Sequence, residues 1–100
     1  MKILPKQLHK YFWDTDPRTI DVDQYPRYVI ERVLEWGRVE DFRWLLSRYG
    51  REELINVLLS SRQLSIRNAN FLATIWDVPK ERILCLQPEY RRLRKLSWNR

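Results

Sequence analysis

Asp14, Asp16, Asp21 and Asp23 crowd ten residues, a density of carboxylates that invites a metal ion. Their spacing does not match a calcium loop, and the glycine that turns such a loop is absent. An Asp-x-Asp pair also holds Mg²⁺ in nucleotidyl transfer, but no Gly-Ser loop precedes this one. Capping and turn formation are the expected roles of these aspartates. His9 and Cys85 are the only histidine and cysteine, and they lie far apart. With no Gly-rich phosphate loop beside them, neither a catalytic triad nor a zinc site is indicated. Cys85, between Leu84 and Leu86, reads as a small buried apolar group. The chain is expected to be no enzyme and to carry no metal or cofactor.

Chemistry aimed at phosphate has more to work with. Residues 87–100 hold Arg91, Arg92, Arg94, Lys95 and Arg100 against Glu89 alone, so they carry +4 of the chain's net +6. Such a stretch can bind phosphate backbone, dock on an acidic partner, or merely solubilise the end of the chain. Trp98 stands within it and can stack on a base or fill a partner's pocket. Lys80 and Arg82 add two cations earlier in the chain. Lys80, Arg82, Arg91, Arg92, Arg94, Lys95 and Trp98 are therefore the candidates for nucleic-acid or partner binding.

The elements that position them centre on Ala73 to Leu86, ATIWDVPKERILCL. A small residue, a bulky apolar Trp76, a turn-permissive Asp77, Val78, Pro79 and then Ile83 and Leu86 follow the order of sizes in a helix-turn-helix corner. Ser65 is the expected N-cap of the helix entering this corner, with Ile66, Ala69, Leu72, Ala73 and Trp76 facing inward. Pro79 is expected to open a fifth helix through Ile83 and Leu86, and Pro88 a sixth. The outward residues of the fifth helix, Lys80, Glu81, Leu84 and Cys85, are poor base readers. A purely structural corner of a bundle accounts for the same residues.

Earlier helices are legible by their periodicity. Leu8, Tyr11, Phe12 and Trp13 suggest a short helical anchor, followed by an Asp-rich connector over residues 14–24. Pro26 opens a helix with Tyr28, Val29, Ile30, Val33, Leu34 and Trp36, which Gly37 stops. A second runs from Val39 to Tyr49, with Val39, Phe42, Leu45, Leu46 and Tyr49 on one face, and ends at Gly50. A third covers Glu52 to Ser60, with Leu54, Ile55, Leu58 and Leu59 inward. The five tryptophans are expected mostly in the core, Trp98 excepted. No alternating strand pattern, repeat or low-complexity segment occurs. The prediction is all-α: a bundle of five to six short helices over residues 1–87 and a basic helix or arm over 88–100.

Composition agrees with that class. One hundred residues with 44% apolar side chains suffice for one core. One cysteine excludes an internal disulfide, and the charged start, interrupted by Pro5, has no signal-like apolar run. No stretch approaches the roughly 18 apolar residues of a membrane span. A soluble, cytoplasmic protein is expected, without a membrane role.

Six strings in order resemble a known family: FWD at Phe12 to Asp14, IERVLEWG at Ile30 to Gly37, WLLSRYG ending at Gly50, SRQLS at Ser61 to Ser65, NANFLA at Asn68 to Ala73 and VPKERILCL at Val78 to Leu86. The family is one of small uncharacterised prokaryotic proteins often encoded beside abortive-infection, nucleotidyltransferase-like toxins. The resemblance implies an antitoxin-like protein that binds a partner protein, the toxin; binding of its own operator DNA, as in autoregulating antitoxins, is a further expectation. It assigns no binding or catalytic residue. The chain departs from the family's pattern at Arg38, where an acidic residue is expected, and at Asp77, where glycine is. The alternatives are a stand-alone DNA-binding protein, for which paired half-sites would favour a homodimer, and a structural adaptor without a nucleic-acid role.

Overall fold

The computed structural model describes residues 3–88. Within them the chain forms four α-helices: α1 over Pro26–Trp36, α2 over Val39–Tyr49, α3 over Arg51–Ser60 and α4 over Ile66–Ile75. Short 3-10 segments occupy Lys6–Tyr11, Pro17–Thr19, Lys80–Arg82 and Leu84–Leu86. No strand is formed among the described residues, and Ile3 and Asp21 meet in a single isolated bridge. The all-α bundle is thus present. The membrane question has a narrow answer: no described helix is long and apolar enough to cross one.

Packing follows from three helices that contact one another pairwise, α1, α2 and α3, with the Lys6–Tyr11 segment against α1. Their inward residues are Val29, Ile30, Val33 and Leu34 of α1, Phe42 and Leu45 of α2, and Leu54, Val57 and Leu58 of α3. Leu8, Phe12, Leu64, Leu72 and Ile83 close the same core from outside that trio, each fully buried. Full burial of one such side chain contributes about 1.5–3 kcal/mol, whereas an exposed ion pair contributes about 0–1. The apolar core therefore holds the fold, and the ion pairs refine its surface.

The inner faces differ in detail from the periodic reading. Val39 is 55% exposed and Leu46 37%, so α2 buries a narrower stripe than its five apolar residues suggested. In α3 the buried arc turns by one residue and takes in Val57, leaving Ile55 and Leu59 half-buried at its edge.

Each helix end has an identifiable cause. Pro26 occupies the first turn of α1, where its missing N–H costs nothing. Gly37 ends α1 with ordinary φ (−80°), so it is not needed for a left-handed turn. It is needed for space: a Cβ there would lie 2.5 Å from the Val33 carbonyl oxygen. Gly50 does take the left-handed region (φ +88°), and the chain passes directly from α2 to α3 through it. Arg38 is the N-cap of α2 and has no oxygen to offer; the Asp41 carboxylate instead accepts the Arg38 backbone N–H at 2.9 Å. Ser65 caps α4 as expected, its hydroxyl accepting the Asn68 N–H.

The corner after α4 departs most from expectation. Asp77 has φ +54°, the left-handed conformation that the bend demanded. The Val78 N–H reaches back to the Ala73 carbonyl and the Asp77 N–H to that of Thr74, which together make a Schellman end to the helix. Arg51 donates to the Trp76 carbonyl at 2.8 Å and covers one more helix-end acceptor. The expected fifth α-helix, however, is two 3-10 turns separated by an extended Ile83. The reason lies in burial and in Gln87. Ile83 and Cys85, two residues apart, are both fully buried, a spacing that one α-helical face cannot supply. The Gln87 side-chain amide donates to the carbonyls of Glu81 and Ile83, which an α-helix would have used for itself. The expected sixth helix lies beyond Pro88, outside the described residues.

Candidate binding site

The aspartate-rich connector contributes Asp14 and Gln24 to the lining of a surface groove. Asp16 accepts the Arg18 N–H and Asp21 that of Asp23, so these two cap and turn as expected. Asp14 and Asp23 do something else: each pairs with an arginine on a helix, Asp14 with Arg32 of α1 and Asp23 with Arg48 of α2. These pairs fasten the connector to the bundle. Among the described residues no cluster of three His, Cys, Asp or Glu is arranged to hold a metal.

Arg32 is the centre of the arrangement. Its guanidinium donates to Asp14 Oδ2 at 2.8 Å and to the Tyr11 carbonyl at 3.2 Å. It also lies over three rings, 4.9 Å from the centroid of Trp13, 5.2 Å from Tyr28 and 5.8 Å from Phe12. Such stacking suits a planar, weakly hydrated guanidinium better than an ammonium. The hydrogen bond from Arg32 holds the Asp14 carboxyl below its usual range, while burial raises the Tyr28 phenol. Asp14 is thus ionised and Tyr28 neutral at neutral pH.

Beside this hub lies a groove of about 1010 Å³ along α1, whose lining also takes in Trp13, Asp14 and Gln63. Three large aromatic side chains of the groove remain exposed: Trp13 at 64%, Tyr25 at 51% and Trp36 at 55%. Trp13 and Trp36 meet edge to face at 5.3 Å. The expectation that the tryptophans are mostly core fails for this pair. Trp76 is buried, and Trp44 is half-buried against Tyr49.

The groove's polar groups are largely committed to the fold. Glu31 accepts the hydroxyl of buried Ser61, and Glu35 accepts the Ser65 N–H at 2.8 Å. The Glu35 carbonyl takes the Asn68 side-chain amide. One face of α1 thereby holds the turn into α4 at three points. FWD, IERVLEWG, SRQLS and NANFLA, remote in sequence, meet here.

Of the residues singled out for phosphate or partner binding, Lys80 and Arg82 stand exposed on the first turn after the corner. Arg91, Arg92, Arg94, Lys95 and Trp98 lie outside the described residues. Trp13, Tyr25, Arg32, Glu35 and Trp36 of the groove are not among the residues that the sequence singles out for binding. The available signal was FWD and EWG, each placing a tryptophan beside a carboxylate at an end of an element.

No curated protein and no solved structure matches the chain. Residues 8–58 do match a family profile, and this span contains α1, α2, the aromatic wall and most of α3 but not the corner after α4. The chain belongs to a Family of unknown function (DUF6922), and Trp13, Arg32 and Trp36 stand within the segment that defines its membership.

Proposed function

We propose that this chain is a cytoplasmic, non-catalytic binding module, antitoxin-like in kind, which holds a partner protein in the groove along α1. One observation carries the reading: Trp13, Tyr25 and Trp36 are each more than half exposed around a single groove. Leaving such area in water is unfavourable by about 25 cal/mol per Å². Tryptophan and tyrosine are also the side chains most often found as anchors in protein interfaces. The carboxylates nearby, bonded to Arg32, Ser61 and Ser65, serve architecture rather than acid–base chemistry. The toxin as partner comes from the sequence resemblance alone.

The test is co-expression with the product of the neighbouring gene. The full chain should co-purify with it as a complex, and Trp13→Ala combined with Trp36→Ala should weaken that complex at least about 30-fold, the loss expected of an anchor worth 2 kcal/mol. Because both side chains are exposed, the helical content of the double variant should be unchanged. An undiminished complex would remove the groove from the interface; no complex at all would remove the antitoxin-like reading. A second reading, attachment to DNA through charge, is favoured by the +4 carried on residues 87–100.

A further inference from the structure

The groove has a sign opposite to that of the chain. On a protein of net charge +6, its lining includes Asp14, Glu31 and Glu35 against Arg27 and Arg32, a balance of one negative charge. Two of these carboxylates are already matched. Asp14 lies 2.8 Å from Arg32, and Glu31 lies 3.8 Å from Arg27. Glu35 has no ion-pair partner among the described residues; it accepts one backbone N–H, from Ser65.

The rings repeat this asymmetry. Trp13 already carries a guanidinium, with Arg32 at 4.9 Å from its centroid. Trp36, packed against Trp13, has no cation over it among the described residues, and neither has Tyr25. Exposed aromatic faces next to a carboxylate form a subsite for a cationic side chain.

We propose that the groove receives an extended, Lys- or Arg-bearing segment of the partner protein, with its cation on the ring of Trp36 and Glu35 as counter-charge. The apolar neighbours of that cation lie against Tyr25 and Trp13. This rests on the protein-binding reading of the same groove and names the chemistry of what enters it. Nucleic acid is disfavoured there, because its phosphates would meet a lining of net negative charge.

The experiment uses the full chain with its tryptophan indoles isotope-labelled and their NMR cross-peaks assigned by single Trp→Phe changes. A short synthetic peptide of Arg-Pro-Ala repeats should move the Trp13 and Trp36 cross-peaks and leave those of Trp44 and Trp76 in place. The same peptide with Glu for Arg should move none. Glu35→Gln keeps an oxygen for the Ser65 N–H but loses the charge, and should weaken the Arg peptide about 3-fold. An Arg peptide that leaves Trp36 unmoved, or that binds Glu35→Gln equally well, overturns the proposal. So does an oligothymidylate that moves Trp36 where the peptide does not. If truncation after Pro88 alone moves the Trp36 cross-peak, or if dilution does, the occupant is this chain or a second copy and the proposal falls. Should the neighbouring gene product bind through Trp13 and Trp36 while the Arg peptide does not, the partner reading survives and only the cationic segment fails.

Discussion

Arg32 shows how one residue joins the fold to the groove. Its side chain is only 16% exposed, yet it serves a carboxylate, a backbone carbonyl and three rings. Arg32→Ala strands the Tyr11 carbonyl and unstacks Trp13, and should lower stability by about 2 kcal/mol, or roughly 10 °C in Tm. Arg32→Lys should recover less than half of that, since an ammonium cannot form the same planar stack. Urea unfolding of the two variants measures this, and equal stabilities would show that the charge matters and the stacking does not. Tyr11, buried, and Tyr49, half-buried, make a second prediction at the same scale. Burial pushes the phenols of Tyr11 and Tyr49 up to about 12, and Tyr49 also donates to the Val22 carbonyl at 2.8 Å. A phenol raised in the folded state favours the neutral form there, whereas in the unfolded chain it ionises near 10. Their contribution to stability should be whole below pH 10 and should be lost between pH 10 and about 12. Unfolding free energy followed across that interval should fall, and in Tyr49→Phe it should fall less steeply.

At the scale of elements, caps were legible and periods only partly so. Ser65 and Gly50 could be placed from sequence because each does one local job, a hydroxyl at a helix start and a left-handed turn at a helix end. Trp36 could not, because it stands three residues after Val33 and so falls on the buried face of α1 by angle. Angle does not say how far along the axis the neighbours reach, and α1 ends at Trp36 with its ring in water. Likewise the three-residue step from Ile83 to Leu86 suits an α-helix or a 3-10 turn over so short a run, and the burial of Cys85 together with the Gln87 side-chain hydrogen bonds decides between them. The two unusual joints can be tested by opposite substitutions. Asp77 occupies φ +54° at some cost that glycine would not bear, so Asp77→Gly should stabilise by about 0.5–1 kcal/mol. Gly37→Ala should destabilise by about 1–3 kcal/mol, because the new Cβ meets backbone that cannot move without shifting the last turn of α1. Chemical denaturation of both proteins should give shifts of opposite sign; a neutral Gly37→Ala would mean that the joint is looser than its contacts imply.

For the whole molecule the deciding quantity is where the charge lies. The cations outside residues 87–100 nearly balance their carboxylates, leaving +2, while that short stretch alone holds +4. The aromatic groove sits on the nearly neutral part and is itself slightly acidic. Protein and phosphate are therefore expected to address different parts of the chain. This partition was legible in the sequence for the charge but not for the groove, which exists only once Trp13 from just before the connector, Trp36 from the end of α1 and Gln63 from the turn before α4 are folded together. It leads to a prediction with two independent arms. If the full chain binds duplex DNA at low salt, log affinity should fall with log salt at about −0.9 per phosphate contacted, and the five cations beyond Pro88 should supply up to about −4.5 of that slope. Truncation after Pro88 should flatten the slope to that of Lys80, Arg82 and the scattered arginines. Trp13→Ala with Trp36→Ala should leave the slope untouched while weakening the protein complex. A slope that responds to the tryptophans and ignores the truncation would place DNA in the groove, against the sign of its lining. Absence of any DNA affinity at low salt would leave the basic stretch a protein-facing or solubilising role and make the groove the chain's principal binding surface.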